Sequence, residues 1–166
     1  MVAANYVIVP FTADDSSRRG IENVIALLYG VGDAHTASYA KINFAKRAKE
    51  ENVDIAKLHT FVSNRQTLFD GKPSKAFKAM DTAIKNTMRN IHRDHRSLFA
   101  NPKEEPSKKF VIILDYHSAC VVAGTTGTPL HKLKAGPHHL FGERVQINPA
   151  PLKRYCEALT AFISHL

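Results

Sequence analysis

Cysteine is scarce in this sequence. Among 166 residues only Cys120 and Cys156 occur, which is too few for a framework of disulfide bonds. No apolar run approaches the length that crosses a bilayer. The first fifteen residues lack both the basic residues and the long apolar core of a signal peptide. We therefore expect no disulfide-stapled secreted domain and no membrane partner, and a reducing, cytoplasmic location is the simplest interpretation.

Negative charge is also in short supply. The chain has 23 lysines and arginines against 15 aspartates and glutamates, a net charge of +8. The imbalance is uneven, because residues 1–52 sum to zero whereas 53–108 carry +5 and 109–166 carry +3. No glutamate occurs between Lys72 and Pro102. A positive field of this kind favours phosphate-bearing or otherwise acidic partners.

Strand and helix patterns alternate along the chain. Short β-branched apolar runs predict strands at 5–11 and 110–116, and the near-continuous hydrophobicity of the second indicates the middle of a parallel sheet. The segment 54–62 fits either a strand or a helix, and its β-branched and aromatic end favours a strand. We expect 119–127 to continue as a strand into a turn and 143–149 to form a short strand. The segment 130–142 has the composition of a loop. Helical spacing and capping residues predict helices over 17–29, 36–51, 74–98 and 151–166.

This order of elements predicts the α/β class. The length fits one domain over 1–166, with a small, mostly parallel sheet covered by helices. An α+β arrangement is the alternative. The sequence leaves the oligomeric state open.

The helix predicted over 74–98 separates apolar from basic side chains. At 100° per residue its apolar side chains form one stripe, which includes Ile84, Met88 and His95. The basic side chains group on another side: Lys75, Lys78, Lys85, Arg89, His92, Arg93 and Arg96. Like charges four residues apart, such as Lys85 and Arg89, repel mildly, so a helix that keeps them favours an anionic partner. The basic row spans about 27 Å, enough to contact several phosphates.

The basic helix leads to the first functional hypothesis. We expect a nucleic-acid-binding protein that contacts an RNA or DNA backbone through this helix, with phosphodiester cleavage as an added hypothesis. No helix-turn-helix, zinc finger or RNA-recognition motif is present, so backbone contact is expected rather than base readout. If the protein cleaves, Asp115 with His117 is the first acid–base pair and His92 is the second candidate. Whether the protein is an enzyme stays open.

The segment LDYHSAC supports an alternative function. If the strand at 110–116 continues, Asp115 and His117 point to one face at its carboxyl end, where open α/β sheets bind ligands. An aspartate beside a histidine fixes its tautomer and raises its basicity, which suits general acid–base catalysis. Backbone N–H groups of the GTTGT turn at 124–128 add a means of holding an anion. This constellation predicts an enzyme acting on a small phosphate-bearing or nucleotide ligand.

Two further hypotheses are weaker. The basic face fits an interaction protein that docks an acidic protein partner. Cys120 with His139 and Asn148 would make a thiol nucleophile set, although the apolar surroundings of Cys120 indicate a buried strand. The sequence holds no HExxH and no paired Cys-x-x-Cys pattern, so neither a metal site nor a cofactor is expected.

Overall fold

The computed structural model describes residues 4–33, 36–69 and 72–166. Seven strands and six α-helices follow one another in these parts of the chain. In chain order they are β1 (Tyr6–Phe11), α1 (Asp15–Tyr29), α2 (Ala37–Lys41), α3 (Phe44–Glu50), β2 (Lys57–Gln66), β3 (Leu68–Phe69), β4 (Lys72–Pro73), α4 (Lys75–Asp94), β5 (Phe110–Leu114), α5 (His117–Thr126), β6 (Gly136–Leu140), β7 (Glu143–Ile147) and α6 (Pro149–Ser164). No described helix is both long and apolar enough to cross a membrane.

A three-stranded parallel sheet forms the centre of the fold. Its order is β1-β2-β5, so β2 is the middle strand. Helices connect the parallel strands, since α1 to α3 lie between β1 and β2 and α4 lies between β2 and β5. The predicted α/β class, with a small parallel sheet flanked by helices, is confirmed. The single-domain boundary stays a prediction.

The main hydrophobic core lies between the sheet and helices α1 and α4. In α1 the buried residues Ile21, Ile25 and Leu28 recur at helical spacing, and in α4 the buried pair is Ile84 and Met88. Aromatic rings cross the sheet in this core. The ring of Phe110 lies 4.9 Å from that of Phe61 and 5.8 Å from that of Phe11, measured between centroids. The core therefore ties all three strands to the two helices.

A second, smaller cluster lies beside β5. It joins α5, the antiparallel β6–β7 hairpin and α6, and its buried members are Ala119, Val122, Leu133, Leu140, Ile147 and Leu152. Helix α6 also contacts β5. This arrangement places the beginnings of α5 and α6 next to the carboxyl end of β5.

Three predictions about local structure are wrong. Strand β5 is an edge strand, not a middle one, and Ile112 on it is 41% exposed. Residues 119–127 belong to α5 because Ala119 and Val122, three residues apart, bury one helical face against the hairpin. The segment at 136–140 is a strand of that hairpin rather than a loop.

Helix boundaries also differ from the prediction. The helix predicted over 36–51 is two helices, because Asn43 caps α3 by accepting a hydrogen bond from the Lys46 N–H at 2.8 Å. The long helix begins after Ser74, as predicted, but ends at Asp94. Arg96 lies in the 3₁₀ turn that follows. His95 is exposed at the end of α4 and does not belong to the apolar stripe.

Candidate functional site

The carboxyl ends of the three parallel strands meet at one edge of the sheet. Strand β1 leads there into the cap of α1, where the Asp14 carboxylate accepts hydrogen bonds from the Ser17 N–H at 2.7 Å and from the Thr12 hydroxyl. These hydrogen bonds hold the pKa of Asp14 below its ordinary value. The carboxylate is therefore committed to the helix cap, and the less constrained polar groups of this edge come from β2 and β5.

Strand β2 ends in a β-bulge. Ser63 pairs with Ile112 and Gln66 with Leu114, so β2 uses one residue more than β5 between these pairs. Within the bulge Arg65 has a backbone φ of 56°. The bulge brings Nη2 of Arg65 to 3.7 Å from Oδ2 of Asp115, which directly follows β5.

Asp115 is held on two sides. Its own N–H donates to the Gln66 carbonyl at 3.1 Å, and its Oδ1 accepts from the His117 N–H at 3.2 Å. Nδ1 of His117 lies 3.7 Å from Oδ2, a distance that allows charge attraction but exceeds a hydrogen bond. The Asp115 side chain is 18% exposed, whereas those of Arg65 and His117 are 70% and 59% exposed. One half-buried carboxylate thus faces two solvent-accessible cationic or titratable groups.

Backbone strain concentrates at this edge. His117 has a φ of 41°, and Arg65 also has a positive φ. A residue with a side chain rarely adopts such a conformation, which costs on the order of 1–3 kcal/mol and clusters at functional positions. The two strained residues are distant in sequence but adjoin the same carboxylate.

A cleft of about 210 Å³ adjoins His117. Its lining comes from the beginning of α5, the end of β7 and the beginning of α6, and includes Tyr116, Ser118, Gln146, Asn148 and Tyr155. The rings of Tyr116 and Tyr155 meet edge to face, with their centroids 4.8 Å apart. Burial raises the pKa of Tyr116 to about 12 and also raises that of Tyr155, where the Asp115 charge adds to the effect. Both phenols therefore stay protonated and able to donate hydrogen bonds at neutral pH.

Three buried polar atoms at or next to this edge have no hydrogen-bond partner in the structure. They are Oγ of Ser63, Oε1 of Gln66 and the hydroxyl of Tyr116. A buried polar atom without a partner costs about 1–3 kcal/mol, so native proteins keep few of them. These unpaired atoms lie near the same strand ends as the strained residues Arg65 and His117. Both features cost stability, so this edge of the sheet is not optimised for stability alone.

The predicted acid–base pair does come together, but for a different structural reason. Asp115 and His117 were expected to alternate along a strand, whereas a turn and the start of α5 bring them together. The GTTGT segment does not join them. It forms the far end of α5, roughly 14 Å away at 1.5 Å per residue.

Three of the six basic side chains of the row that lie in α4 are paired with acidic side chains. Lys85 lies 2.8 Å from Asp81 and also 5.3 Å from the centroid of the Phe110 ring. Arg89 pairs with Glu105, which comes from the loop before β5. Arg93 pairs with Asp94 at 2.9 Å. The local excess of positive charge is therefore smaller than the sequence of the helix alone suggested.

The other predicted nucleic-acid-binding residues of α4, His92, Lys75 and Lys78, differ in their surroundings. Nε2 of His92 lies 3.1 Å from the Pro102 carbonyl oxygen, and its ring packs edge-on against Phe99. Lys75 and Lys78 are exposed, and within the described ranges neither forms an ion pair. His92 is thus held by the following loop, which does not suit a second catalytic histidine. The nucleic-acid contacts of this helix stay a prediction.

The cysteines differ from expectation. Cys120 is exposed on α5 rather than buried in a strand, and Cys156 on α6 is half-buried. Across 4–33, 36–69 and 72–166, no three histidine, cysteine or acidic side chains group in a way that could hold a metal ion.

Comparison with known proteins gives no further guide, since no family model, no curated protein and no solved structure matches this chain. The site itself includes residues that sequence reasoning missed, namely Arg65, Gln146 and Tyr155. Arg65 lies at the site because of a bulge and a positive φ, which favour glycine or asparagine in sequence and so leave no signal at an arginine.

Proposed function

We propose that this protein is an enzyme that acts on a small phosphate-bearing ligand at the carboxyl edge of its sheet. The observation that carries the proposal is the pair of strained residues, Arg65 and His117, that face the single carboxylate of Asp115. Strain at two positions around one charged group is hard to explain by folding alone. Ligand sites of open α/β sheets lie at this same edge.

The residues suggest distinct chemical roles. Asp115 attracts a proton on Nδ1 of His117, which leaves Nε2 to accept or donate a proton during general acid–base catalysis. Arg65 offers an exposed guanidinium, whose parallel N–H groups match two oxygens of a phosphate. Tyr155 lines the cleft and offers a protonated hydroxyl group, whereas the hydroxyl of Tyr116 is buried.

The cleft favours an anion for a second reason. Helices α5 and α6 both begin at its wall, where Ser118 and Pro151 lie in their first turns. The beginning of a helix carries a partial positive charge, although in α6 the prolines at 149 and 151 leave Ala150 as the only one of the first three residues with a backbone N–H. These two helix ends at the wall of the cleft contribute positive potential that suits phosphate.

Titration with inorganic phosphate and then with nucleoside monophosphates, followed by NMR of the histidine side chains, tests the proposal. We expect phosphate to perturb the His117 ring and Arg65→Gln to weaken that response. The protein is then assayed for turnover of a panel of phosphate esters. For any ester that it converts, His117→Gln should lower the rate by about 100-fold or more. His131→Gln is the matched control, because His131 is exposed and does not line the cleft. Equal responses from His131 and His117 would contradict the proposal.

A further inference from the structure

The tip of the β6–β7 hairpin has an unusual residue. Phe141 and Gly142 form a two-residue turn, and their φ values are 49° and 87°. Positive φ at both central positions defines the turn that best fits the twist of a hairpin, and asparagine, aspartate or glycine normally occupies the first position. Here that position holds a phenylalanine that is 93% exposed.

Among the described residues, no packing contact offsets the cost of placing Phe141 at this position. Its side chain packs on neither hydrophobic cluster, and its backbone adopts a conformation that a bulky residue rarely takes. Asparagine would suit the turn better and would remove an exposed apolar ring. A bulky residue in a strained turn conformation is a departure from local preference of the kind that concentrates at functional positions.

The rest of the hairpin's outer face is basic and polar. His139 and Arg144 form a cross-strand pair, and Pro137 and Gln146 form the next pair on the same face. Lys132 and Lys134, which precede β6, are exposed, and Glu143, which follows the turn directly, is the only acidic residue in the segment 130–147. Within the described chain, none of Lys132, Lys134 and Arg144 forms an ion pair. The segment 130–147 thus has a net positive charge, with Arg144 the basic side chain closest to the turn in sequence, and this charge favours a polyanion.

We propose that the outer face of this hairpin binds a single strand of nucleic acid, with Phe141 stacked on a base and Arg144 on a phosphate. Stacking needs bases that are free of a double helix, and every base offers a face to an aromatic ring. A membrane surface fits less well, because the neighbours of Phe141 are polar and a lone ring buries little apolar area. The inference stands apart from the acid–base proposal, since it uses neither Asp115 nor His117.

The hairpin also relates this surface to the cleft. Gln146 lies on the outer face and lines the cleft beside His117. From the turn to Gln146 the strand rises roughly 14 Å at about 3.4 Å per residue. A single strand of nucleic acid held by Phe141 would therefore pass close to the proposed phosphate site.

Fluorescence anisotropy with a labelled oligouridine tests the inference, with the same sequence as a duplex for comparison. We expect preference for the single strand. Phe141→Asn should weaken binding by about five-fold or more, whereas Phe141→Trp should preserve it. Arg144→Gln should weaken binding and reduce the slope of affinity against salt by about one. Ile163→Gln is the control, since it removes another exposed apolar side chain (66% exposed), which lies on α6 and outside the hairpin.

Three results would overturn the inference. The first is equal binding by Phe141→Asn and the parent protein. The second is loss of binding only when Lys75 and Lys78 are replaced by glutamate, which would place the strand on α4. The third is binding to phosphatidylserine vesicles that needs Phe141, with no binding of oligouridine. The His117→Gln variant should bind oligouridine normally, which separates a failure of this inference from a failure of the acid–base proposal.

Discussion

Arg65, near the end of β2, and His117, the first residue of α5, approach one oxygen atom at the same distance. Nη2 of Arg65 and Nδ1 of His117 each lie 3.7 Å from Oδ2 of Asp115. Both residues reach it through a backbone with positive φ. The arrangement implies that geometry around the carboxylate has been kept at the expense of local backbone preference, and this has measurable consequences.

Arg65→Gly should separate stability from ligand binding. Glycine adopts positive φ without the roughly 1–2 kcal/mol that a side chain costs there, but it loses about 0.5–1 kcal/mol of entropy on folding. We expect the free energy of unfolding in urea to stay the same or to rise by up to about 1 kcal/mol. Phosphate binding should weaken in the same variant.

The matched control for this prediction is Arg93→Gly. Arg93 is 67% exposed and ion-paired, much like Arg65, but it lies in the last turn of α4. Glycine in a helix costs about 1 kcal/mol, so this variant should be less stable than the parent. If both glycine variants lose the same stability, Arg65 is not strained.

His59 should make stability depend on pH in a known direction. Its Nδ1 lies 2.7 Å from the Thr60 hydroxyl and its ring packs 4.8 Å from that of Tyr6. Burial, assisted by the charge of Lys109, lowers the pKa of His59 below its ordinary value of 6.5. As the pH falls through 6.5 the unfolded chain takes up a proton before the folded chain does, so stability decreases.

The measurement is urea unfolding at pH about 7.5 and about 5.5. The parent protein should lose more free energy of unfolding across this interval than His59→Gln does. Contributions that do not involve His59 are common to both proteins and cancel in the comparison. An identical loss in both would mean that His59 titrates normally when folded.

Cys120 should react with thiol reagents in the native protein. It is exposed on α5, whereas Cys156 is half-buried on α6. Iodoacetamide should modify Cys120 faster than Cys156 in the native protein, and both at similar rates once denaturant is added. Peptide mass spectrometry measures the extent of modification at each cysteine. Protection of Cys120 until the protein unfolds would instead support the buried strand predicted from the sequence.

Core packing between α4 and the sheet should dominate stability. Ile84 is fully buried, so Ile84→Ala should lower the free energy of unfolding by about 2–5 kcal/mol. Ile163→Ala makes the same chemical change at an exposed position and should stay within about 0.5 kcal/mol of the parent. Comparable losses from the two substitutions would mean that α4 does not cover the sheet as described.

Much of the fold follows from local pattern. Strands β1, β2 and β5 have β-branched apolar runs, and α1 and α4 have both helical periodicity and a capping residue, Asp14 or Ser74. Helix α5 was missed because SACVVAGTT is apolar without a clear period and rich in residues common in strands. Its helical face packs on the β6–β7 hairpin, which comes later in the chain. A local pattern of residues 117–126 therefore does not reveal this contact.

The candidate site was predictable only in part. Asp115 and His117 are close in sequence and would be close in almost any conformation. Arg65 is fifty residues earlier, and its place depends on how β2 pairs with β5 and on the bulge in that pairing. Ion pairs such as Arg89 with Glu105 were equally hidden, since the acidic partner comes from a loop outside the helix.

The parallel sheet has a consequence for how this edge assembles. Phe61 pairs with Val9 on one side and with Phe110 on the other, so each pairing closes a loop of about 50 residues. Pairings so distant in sequence form slowly, because chain entropy is lost before contacts compensate for it. Asp115 meets Arg65 only after β5 has docked on β2. We therefore expect the carboxyl edge to be completed late in folding, and a chain still emerging from synthesis to lack it until the segment after Leu114 is available.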